Sequence, residues 1–182
     1  MTDKFTGGPA SPAPARTGAT GTDGRAVDTP ASGTDANPFE AQLAAHGVPP
    51  DMRARFAAHG VGTLVEKLGI VFTEMGAQRV VATMPIEGNQ QVAGILHGGA
   101  SVALAETLGS FAAALHGGDA RMPVGVDISA THHRPGISGL VTGVCTPLHL
   151  GRTITTHEIV VTNAEGKRVC TSRITNMLLD KK

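Results

Sequence analysis

Residues 88–110 read GNQQVAGILHGGASVALAETLGS, and the second half of this stretch determines the fold. The segment 100–115 is dense in Ala and Leu and does not alternate apolar with polar residues, so it predicts a helix rather than a strand. Its bulky apolar residues recur at intervals of four, three and four and form one stripe: Leu104, Leu108, Phe111 and Leu115. Small residues fill most of the remaining positions. We therefore expect a central helix that the rest of the protein encloses on nearly all sides.

Runs rich in β-forming residues flank this helix. Segments 70–75 and 78–85 precede it and are joined by Gly76 and Ala77, which is typical of a hairpin. Four further runs follow it, at 124–132, 140–150, 153–162 and 168–179. The breaks between these runs are short, which favours antiparallel neighbours because parallel strands need long crossovers. The sequence predicts an α+β fold in which an antiparallel sheet, ending in a meander, wraps around one buried helix.

The N-terminal third has a different composition. Residues 1–36 are rich in Pro, Gly, Ser, Thr, Ala and Asp and offer little apolar surface to bury, so we expect a disordered tail. Residues 37–68 predict two short helices, one between Asn37 and Gly47 and one between Asp51 and Gly60. The expected organisation is a tail, short N-terminal helices and one α+β domain over residues 69–180.

Charge and composition argue against several classes of function. The 15 Lys and Arg residues balance 15 Asp and Glu, which disfavours binding of nucleic acid or membrane surfaces by bulk charge. Aromatic residues make up 3% of the chain, with no Trp or Tyr to stack on bases. We find no secretion signal and no apolar run long enough to span a bilayer, so we expect a cytoplasmic protein. Cys145 and Cys170 fit no metal or redox spacing and are interpreted as small apolar residues of strands.

The run His97-Gly98-Gly99 stands where the predicted helix begins. The first N–H groups of a helix lack backbone partners and carry the positive end of the helix dipole. Because Gly has no side chain, the Gly98 N–H could approach and hold an oxyanion or a carbonyl oxygen. The alternative is an ordinary loop-to-helix turn, since Gly is common at such positions.

Glu106 is the only charged residue between Glu87 and Asp119. Its helical neighbours are small, which leaves room for a cavity, and partial burial there would make the carboxylate a better general base. The alternative is a Glu that faces water. Gly98 and Glu106 are two turns apart and lie broadly on one side of the helix, where an oxyanion donor and a carboxylate together would suit acyl transfer.

The run at 88–110 resembles the hotdog-fold thioesterases of the phenylacetate-pathway (PaaI-like) and Arthrobacter-type 4-hydroxybenzoyl-CoA group. Three later stretches match the remaining strands of that group in order: VGVDISATHHRPG at 124–136, PLHLGRT at 147–153 and GKRVCTSRITNMLL at 166–179. The resemblance covers about residues 68–179. It implies a hotdog fold, and an enzyme that hydrolyses an aryl or medium-chain acyl-CoA to free acid and CoA without a metal or organic cofactor.

Carried over position by position, the resemblance also implies roles for single residues. Glu106 would act on the thioester as nucleophile or as base for water, and the Gly98 N–H would polarise the thioester carbonyl. Gln91 and His97 would position the acyl carbonyl and the attacking water, and Ser110 would orient the carboxylate or the water. In this group the pocket forms between two subunits of a dimer, and dimers pair into tetramers, so Glu106 is expected to face Gln91 and Gly98 of the partner subunit.

The CoA moiety is expected to contact Arg134, Arg152 and Thr153, with Arg173 as a weaker candidate, because guanidinium groups and turn N–H groups bind phosphates. For each arginine the alternative is a solvated residue of a hairpin. No metal site is expected, since His132 and His133 point to opposite faces of a strand. The competing function is a non-catalytic acyl-CoA sensor, which the presence of Glu106 beside the other site residues disfavours.

Overall fold

A computed structural model describes residues 37–181 of the chain. The disordered tail predicted for residues 1–36 lies outside the described residues. The helices are α1 (Glu40–Ala45), a 3₁₀ helix (Pro50–Phe56), α2 (Thr63–Leu68) and α3 (Gly98–Gly117). The strands are β1 (Val71–Met75), β2 (Val80–Pro85), β3 (Arg121–His132), β4 (Leu140–Leu150), β5 (Ile154–Thr162) and β6 (Arg168–Asp180).

The long helix α3 lies against a six-stranded antiparallel sheet and contacts strands β2 to β6. Leu104 and Leu108 are fully buried and face β4, where a side chain at Gly143 would collide with both. The other half of the predicted stripe is covered by the 3₁₀ helix and β1, because the Phe111 ring packs on Phe56 and Phe72 with centroids 5.0 and 4.7 Å apart. The predicted α+β fold, an antiparallel sheet around one central helix, is confirmed.

The predicted meander is wrong at its first strand. The sheet order is β1-β2-β4-β5-β6-β3, so β3 pairs with β6 at an edge and β4 pairs with β2. Residues 133–139 join β3 to β4 without forming a hairpin. Their carbonyl groups instead accept hydrogen bonds from the N–H groups of Ile86 and Leu96, at 2.9 and 2.8 Å. Those bonds hold the connection across the end of the sheet, so that only β4, β5 and β6 form a meander.

Close approach between α3 and the sheet depends on Gly109. A Cβ atom at this position would lie 2.2 Å from Cγ2 of Ile174, whose side chain is buried on β6. No side chain can be that close to another, so the glycine allows the helix and the strand to touch. The fully buried His157 and Asn176 lie beneath the same half of the helix, and the amide nitrogen of Asn176 donates to the Gly109 carbonyl at 3.5 Å.

The N-terminal helices differ in detail from the expected ones. The helix expected from Asn37 begins at Glu40, and the Asn37 side chain accepts a hydrogen bond from the Phe39 N–H. The segment expected as a second α-helix is a 3₁₀ helix, Pro50–Phe56. It is tied to α3 by Arg55, which donates to the Ala114 carbonyl and pairs with Asp119 at 3.1 Å. These short helices therefore act as a cover over the outer face of α3.

The expectation that no apolar run could span a bilayer needs correction. Among residues 37–181, α3 alone has the length and hydropathy of a membrane span. It is, however, the core helix of this domain, packed along strands β2 to β6, and core helices share these properties. The cysteines lie buried in β4 and β6 as interpreted, and burial raises the pKa of the Cys145 thiol to about 12.

Candidate active site

The N-terminus of α3 is shaped by His97 and Gly98. His97 is the N-cap residue, and its ring Nδ1 accepts a hydrogen bond of 2.8 Å from the Gly99 N–H. The Gly98 N–H has no hydrogen-bond acceptor among residues 37–181. A free N–H at the positive end of a 20-residue helix is suited to hold the oxygen of a polarised carbonyl group.

Gln91 is held near this helix terminus by a compact loop. The Gln91 N–H donates to the Ile95 carbonyl, and the Gly94 N–H donates back to the Gln91 carbonyl, at 2.8 and 2.9 Å. Asn89 anchors the loop from below, because its side-chain amide donates to the carbonyls of Leu68 and Pro85. The loop backbone is thus fixed while the Gln91 side chain stays exposed.

Gln91, Gly98 and Arg134 line one cavity of about 610 Å³. Ser101 and His132 line it as well, and the imidazole of His132 stands so close to Gly98 that a Cβ atom there would lie 2.9 Å from Nε2. The sequence analysis considered His132 only as a metal ligand and missed this position. Its strand was predicted, but nothing in the local sequence shows that this strand passes the N-terminus of α3.

Glu106 does not line this cavity but lines two others. One, of about 330 Å³, lies between α2 and α3 and is also lined by Ser110; the other, of about 220 Å³, lies toward β3 and β6. Of the two alternatives left open for Glu106, the single chain shows the one in which the side chain is exposed. Gly98 and Glu106 are eight residues apart, about 12 Å along the helix axis. Within one chain, the structure therefore brings Glu106 to Ser110 but not to Gly98 and Gln91.

The candidate CoA-binding residues are also divided. Arg134 lies at the first cavity and donates to the Arg168 carbonyl at 2.9 Å. Arg152 lines a separate cavity of about 190 Å³ beside the C-terminus of α3, and the neighbouring Thr153 is exposed. Since α3 is about 30 Å long, one chain does not bring these two groups to a common phosphate. Arg173 lies 4.0 Å from the carboxylate of Asp127.

The remaining polar residues form no alternative catalytic centre within the described part of the chain. Ser101 lies in the first turn of α3, whereas Asp119 follows its last turn, so these two residues and His97 do not form a triad. Residues 37–181 contain no group of three or more His, Cys, Asp or Glu side chains that could hold a metal ion. The ring of His133 contacts the Thr171 hydroxyl at 2.9 Å.

Comparison with known proteins adds independent information. Residues 93–170 match the family model described as the thioesterase superfamily. The chain is 52% identical over 123 residues to the proofreading thioesterase EntH of Cronobacter sakazakii, which covers 67% of this chain and 90% of the relative. It is 46% identical over 127 residues to the protein of the same name from Klebsiella pneumoniae, covering 69% and 93%.

Two solved structures are similar in fold to this chain. A crystal structure of a thioesterase from Haemophilus influenzae is 43% identical, with a TM-score of 0.62 over 64% of this chain and 82% of that one. A glutamine-to-alanine mutant of a thioesterase from Pseudomonas aeruginosa is 34% identical, with a TM-score of 0.64 over 72% and 93%. The part of this chain that forms the sheet and α3 is thus similar to proteins that are named thioesterases.

Proposed function

The chain belongs to the thioesterase superfamily, and from that premise we propose that it hydrolyses acyl-CoA thioesters with Glu106 as the essential carboxylate. Family membership confirms the predicted hotdog fold and the predicted class of thioester hydrolase. The observation that carries the proposal is the free Gly98 N–H at the start of α3, in one cavity with Gln91 and His132.

The proposed active site lies between two subunits. A carboxylate about 12 Å along the helix from the Gly98 N–H cannot act on the carbonyl group that this N–H holds. A second copy can supply the missing partner across β3, an edge strand that exposes the apolar side chains of Met122, Val124 and Val126. Unpaired strand edges with exposed apolar residues favour pairing with another chain. We expect a dimer, with dimers pairing into tetramers.

In the proposed reaction, the Gly98 N–H of one subunit holds the carbonyl oxygen and stabilises the negative charge that forms there. Gln91, on the same side, orients the acyl carbonyl, while His97 fixes the helix terminus through its bond to Gly99. Glu106 of the other subunit then acts in one of two ways. As a base it takes a proton from water that attacks the carbonyl carbon; as a nucleophile it forms an anhydride that water cleaves. Ser110 orients the carboxylate or the water.

The acyl group is proposed to occupy the cavity between α2 and α3. This cavity lies beside Glu106, holds about 330 Å³ and is lined mainly by apolar residues: Val61, Leu64, Val65, Ala103 and Phe111. Its only charged residue is Glu106 itself, so it suits an uncharged aryl or medium-chain acyl group.

The CoA phosphates are proposed to bind Arg134 of one subunit and Arg152 with Thr153 of the other, because one chain places these groups at opposite ends of α3. Arg134 is exposed beside the Gly98 cavity, where a guanidinium group can reach a phosphate at the mouth. We place the protein in the cytoplasm, which the free state of Cys145 and Cys170 supports.

The test is release of CoA from a panel of aryl and medium-chain acyl-CoA esters, followed by detection of the free thiol. We expect turnover of at least one member, and a loss on the order of 10²- to 10⁴-fold in Glu106→Gln. Ser172→Ala, which changes a buried residue that lines none of the four cavities described above, serves as the control. Equal turnover by the parent and Glu106→Gln would refute the role of the carboxylate. Tight binding without turnover in the parent would instead identify a sensor.

A further inference from the structure

Two side chains from outside the β4–β5 hairpin hold the turn of that hairpin, residues 151–153, by its carbonyl groups. Nε2 of His116, in the last turn of α3, donates to the Gly151 carbonyl at 3.0 Å, since a carbonyl group can only accept. Nη1 of Arg121, at the start of β3, donates to the Arg152 carbonyl at 3.3 Å. Both side chains line the cavity of about 190 Å³ beside this turn. The end of α3 and the start of β3 therefore set the position of the turn.

Arg121 also interrupts the regular pairing of Thr153 with β6. In a hydrogen-bonded antiparallel pair, two residues exchange both of their N–H···O bonds. The Leu178 N–H donates to the Thr153 carbonyl at 2.8 Å, but the Leu178 carbonyl accepts from Nη1 of Arg121 at 3.2 Å. The guanidinium group is fixed in that place by Asp180, whose carboxylate lies 2.9 Å from its Nε. Arg121 thus takes the acceptor that the Thr153 N–H would have in a regular ladder.

The backbone N–H groups of Arg152 and Thr153 are left free by this arrangement. Neither donates to an acceptor among residues 37–181, and both residues are exposed. The Gly151 N–H closes the turn by donating to the Ile154 carbonyl at 2.9 Å. Successive free N–H groups of a turn attract anions, and the Arg152 guanidinium group adds a positive charge beside them. The turn therefore offers the donors that a phosphate group needs.

We propose that His116 and Arg121 are positioning residues of the CoA site, which hold the turn by its carbonyls and so keep the N–H groups of Arg152 and Thr153 available to a phosphate group of CoA. This inference rests on the proposed function, in which Arg152 and Thr153 contact CoA, and adds two residues that act through that turn. The pantetheine arm separates the phosphates of CoA from the thioester. We therefore expect His116 and Arg121 to affect binding and not the chemical step.

The first experiment compares, on the full chain, the CoA ester and the pantetheine ester of one acid. Pantetheine has the thiol arm of CoA but no phosphate group. His116→Ala and Arg121→Ala are each expected to raise KM for the acyl-CoA on the order of 10-fold, because the turn is no longer held for the phosphate. KM for the acyl-pantetheine, and kcat for both esters, are expected to stay at the parent values. A general disturbance of the fold would change both esters alike.

Two further measurements separate positioning from a direct effect of charge. His116→Gln retains a side-chain N–H donor at similar length and is expected to keep KM for the acyl-CoA near the parent value. In Arg121→Ala the Leu178 carbonyl becomes free to accept from the Thr153 N–H. Hydrogen exchange at the Thr153 amide, followed by NMR, is therefore expected to slow in this variant. A guanidinium group that acted only by its charge on the phosphate would leave that exchange unchanged.

The controls change a histidine and an arginine that lie outside the proposed site. His59 is exposed, and Arg79 pairs with Glu74 beside the β1–β2 turn, so His59→Ala and Arg79→Ala are expected to keep the parent KM. Calorimetric titrations with CoA and with dephospho-CoA, which lacks the 3′-phosphate, identify the phosphate concerned. Weaker binding of CoA alone in the alanine variants assigns the turn to the 3′-phosphate, and weaker binding of both compounds assigns it to the diphosphate.

Parent KM for the acyl-CoA in both His116→Ala and Arg121→Ala overturns the inference, as does an equal rise of KM for the acyl-pantetheine. A His116→Gln variant as weak as His116→Ala, or unchanged exchange at Thr153 in Arg121→Ala, also contradicts it. If Arg152→Ala alone raises KM, the inference fails and the proposed contact of Arg152 with CoA stands. If the parent hydrolyses neither ester, the proposed function fails, and the calorimetric affinities for CoA still decide the inference.

Discussion

Gly98 and Glu106 lie on one helix, eight residues apart, and line different cavities. Gly98 shares its cavity with Gln91 and His132, whereas Glu106 shares its own with Ser110 on the α2 side and with Gly125 on the β3 side. The helix rise separates the two residues by about 12 Å, which is too far for both to act on one carbonyl group. This separation is the reason for proposing that the site is divided between two chains.

Mixing two inactive variants tests that division. Glu106→Gln and Gln91→Ala are each expected to have little activity alone. If the residues act across subunits, a mixed dimer contains one site with both changes and one intact site. Random re-assortment of equal amounts then restores about a quarter of the parent activity, because half of the dimers are mixed and half of their sites are intact. Activity that stays at the level of the separate variants after subunit exchange shows that each chain works with its own residues.

Gly98→Ala tests the approach of the substrate to the helix N-terminus. The new methyl group would lie 2.9 Å from Nε2 of His132, so the imidazole has to move and the cavity narrows at the N–H. We expect kcat to fall on the order of 10²-fold, with the melting temperature nearly unchanged because a flexible side-chain end can shift. His132→Ala alone shows how much of the loss comes from the displaced ring. Parent-like kcat in Gly98→Ala would show that the substrate does not need the open space beside this N–H.

Gly109→Ala tests the contact between α3 and β6. Its Cβ atom would lie 2.2 Å from Cγ2 of Ile174, so the helix and the strand must separate. We expect a loss of about 1–3 kcal/mol in the free energy of unfolding, measured by urea denaturation. Ile174→Ala is destabilising alone, but it removes the colliding methyl group, so the double variant is expected to be more stable than the sum of the single losses indicates. Simple additivity would show that the two residues do not touch.

His157 is expected to make stability depend on pH. It is fully buried, both ring nitrogens lack partners among the described residues, and burial together with the nearby His116 lowers its pKa to about 4. The unfolded chain binds a proton near pH 6.5 whereas the folded protein does not until about pH 4, so stability falls as the pH drops through this window. The full effect is up to about 3.5 kcal/mol, since the shift is about 2.5 pKa units and one unit corresponds to about 1.4 kcal/mol.

The measurement is the urea midpoint at about pH 7 and about pH 4.5. His157→Leu is expected to flatten the difference between the two midpoints, because the titrating group is gone and a buried apolar side chain of similar size takes its place. The exposed His149, changed to Gln, is the matched control and should leave the difference intact. If the two midpoints of His157→Leu differ as much as those of the parent, groups other than His157 cause the pH dependence of stability.

Much of the fold could be predicted from short stretches of sequence. Helix α3 follows from a local pattern of Ala, Leu and small residues, and five of the six strands follow from β-rich runs whose observed bounds lie within a residue of the predicted ones, or two at the start of β2. Such patterns are local, because a residue's preference for helix or strand depends mainly on its neighbours in the chain. The same holds for the free N–H at Gly98, which any helix beginning there would have.

The position of each strand in the sheet was decided by the tertiary structure. Strand β3 lies beside β6 and not beside β4, since residues 133–139 bond to Ile86 and Leu96 instead of closing a hairpin. That placement brings His132 against Gly98 and brings Gly125 between Glu106 and Asn176. Residues separated by 19 to 51 positions meet there. No local pattern can encode such contacts, because they depend on the register and order of strands that are distant in the chain.

The sequence by itself therefore determined the central helix, the strand segments and the identity of the charged residue on that helix, Glu106. The tertiary structure decided which cavity Glu106 faces and which residues it meets there. The physical reason is that a helix rises by about 1.5 Å per residue, so the spacing of Gly98 and Glu106 is set as soon as the helix forms. Whether Glu106 lies beside Gly125 is set only when β3 and β6 have paired beside that helix.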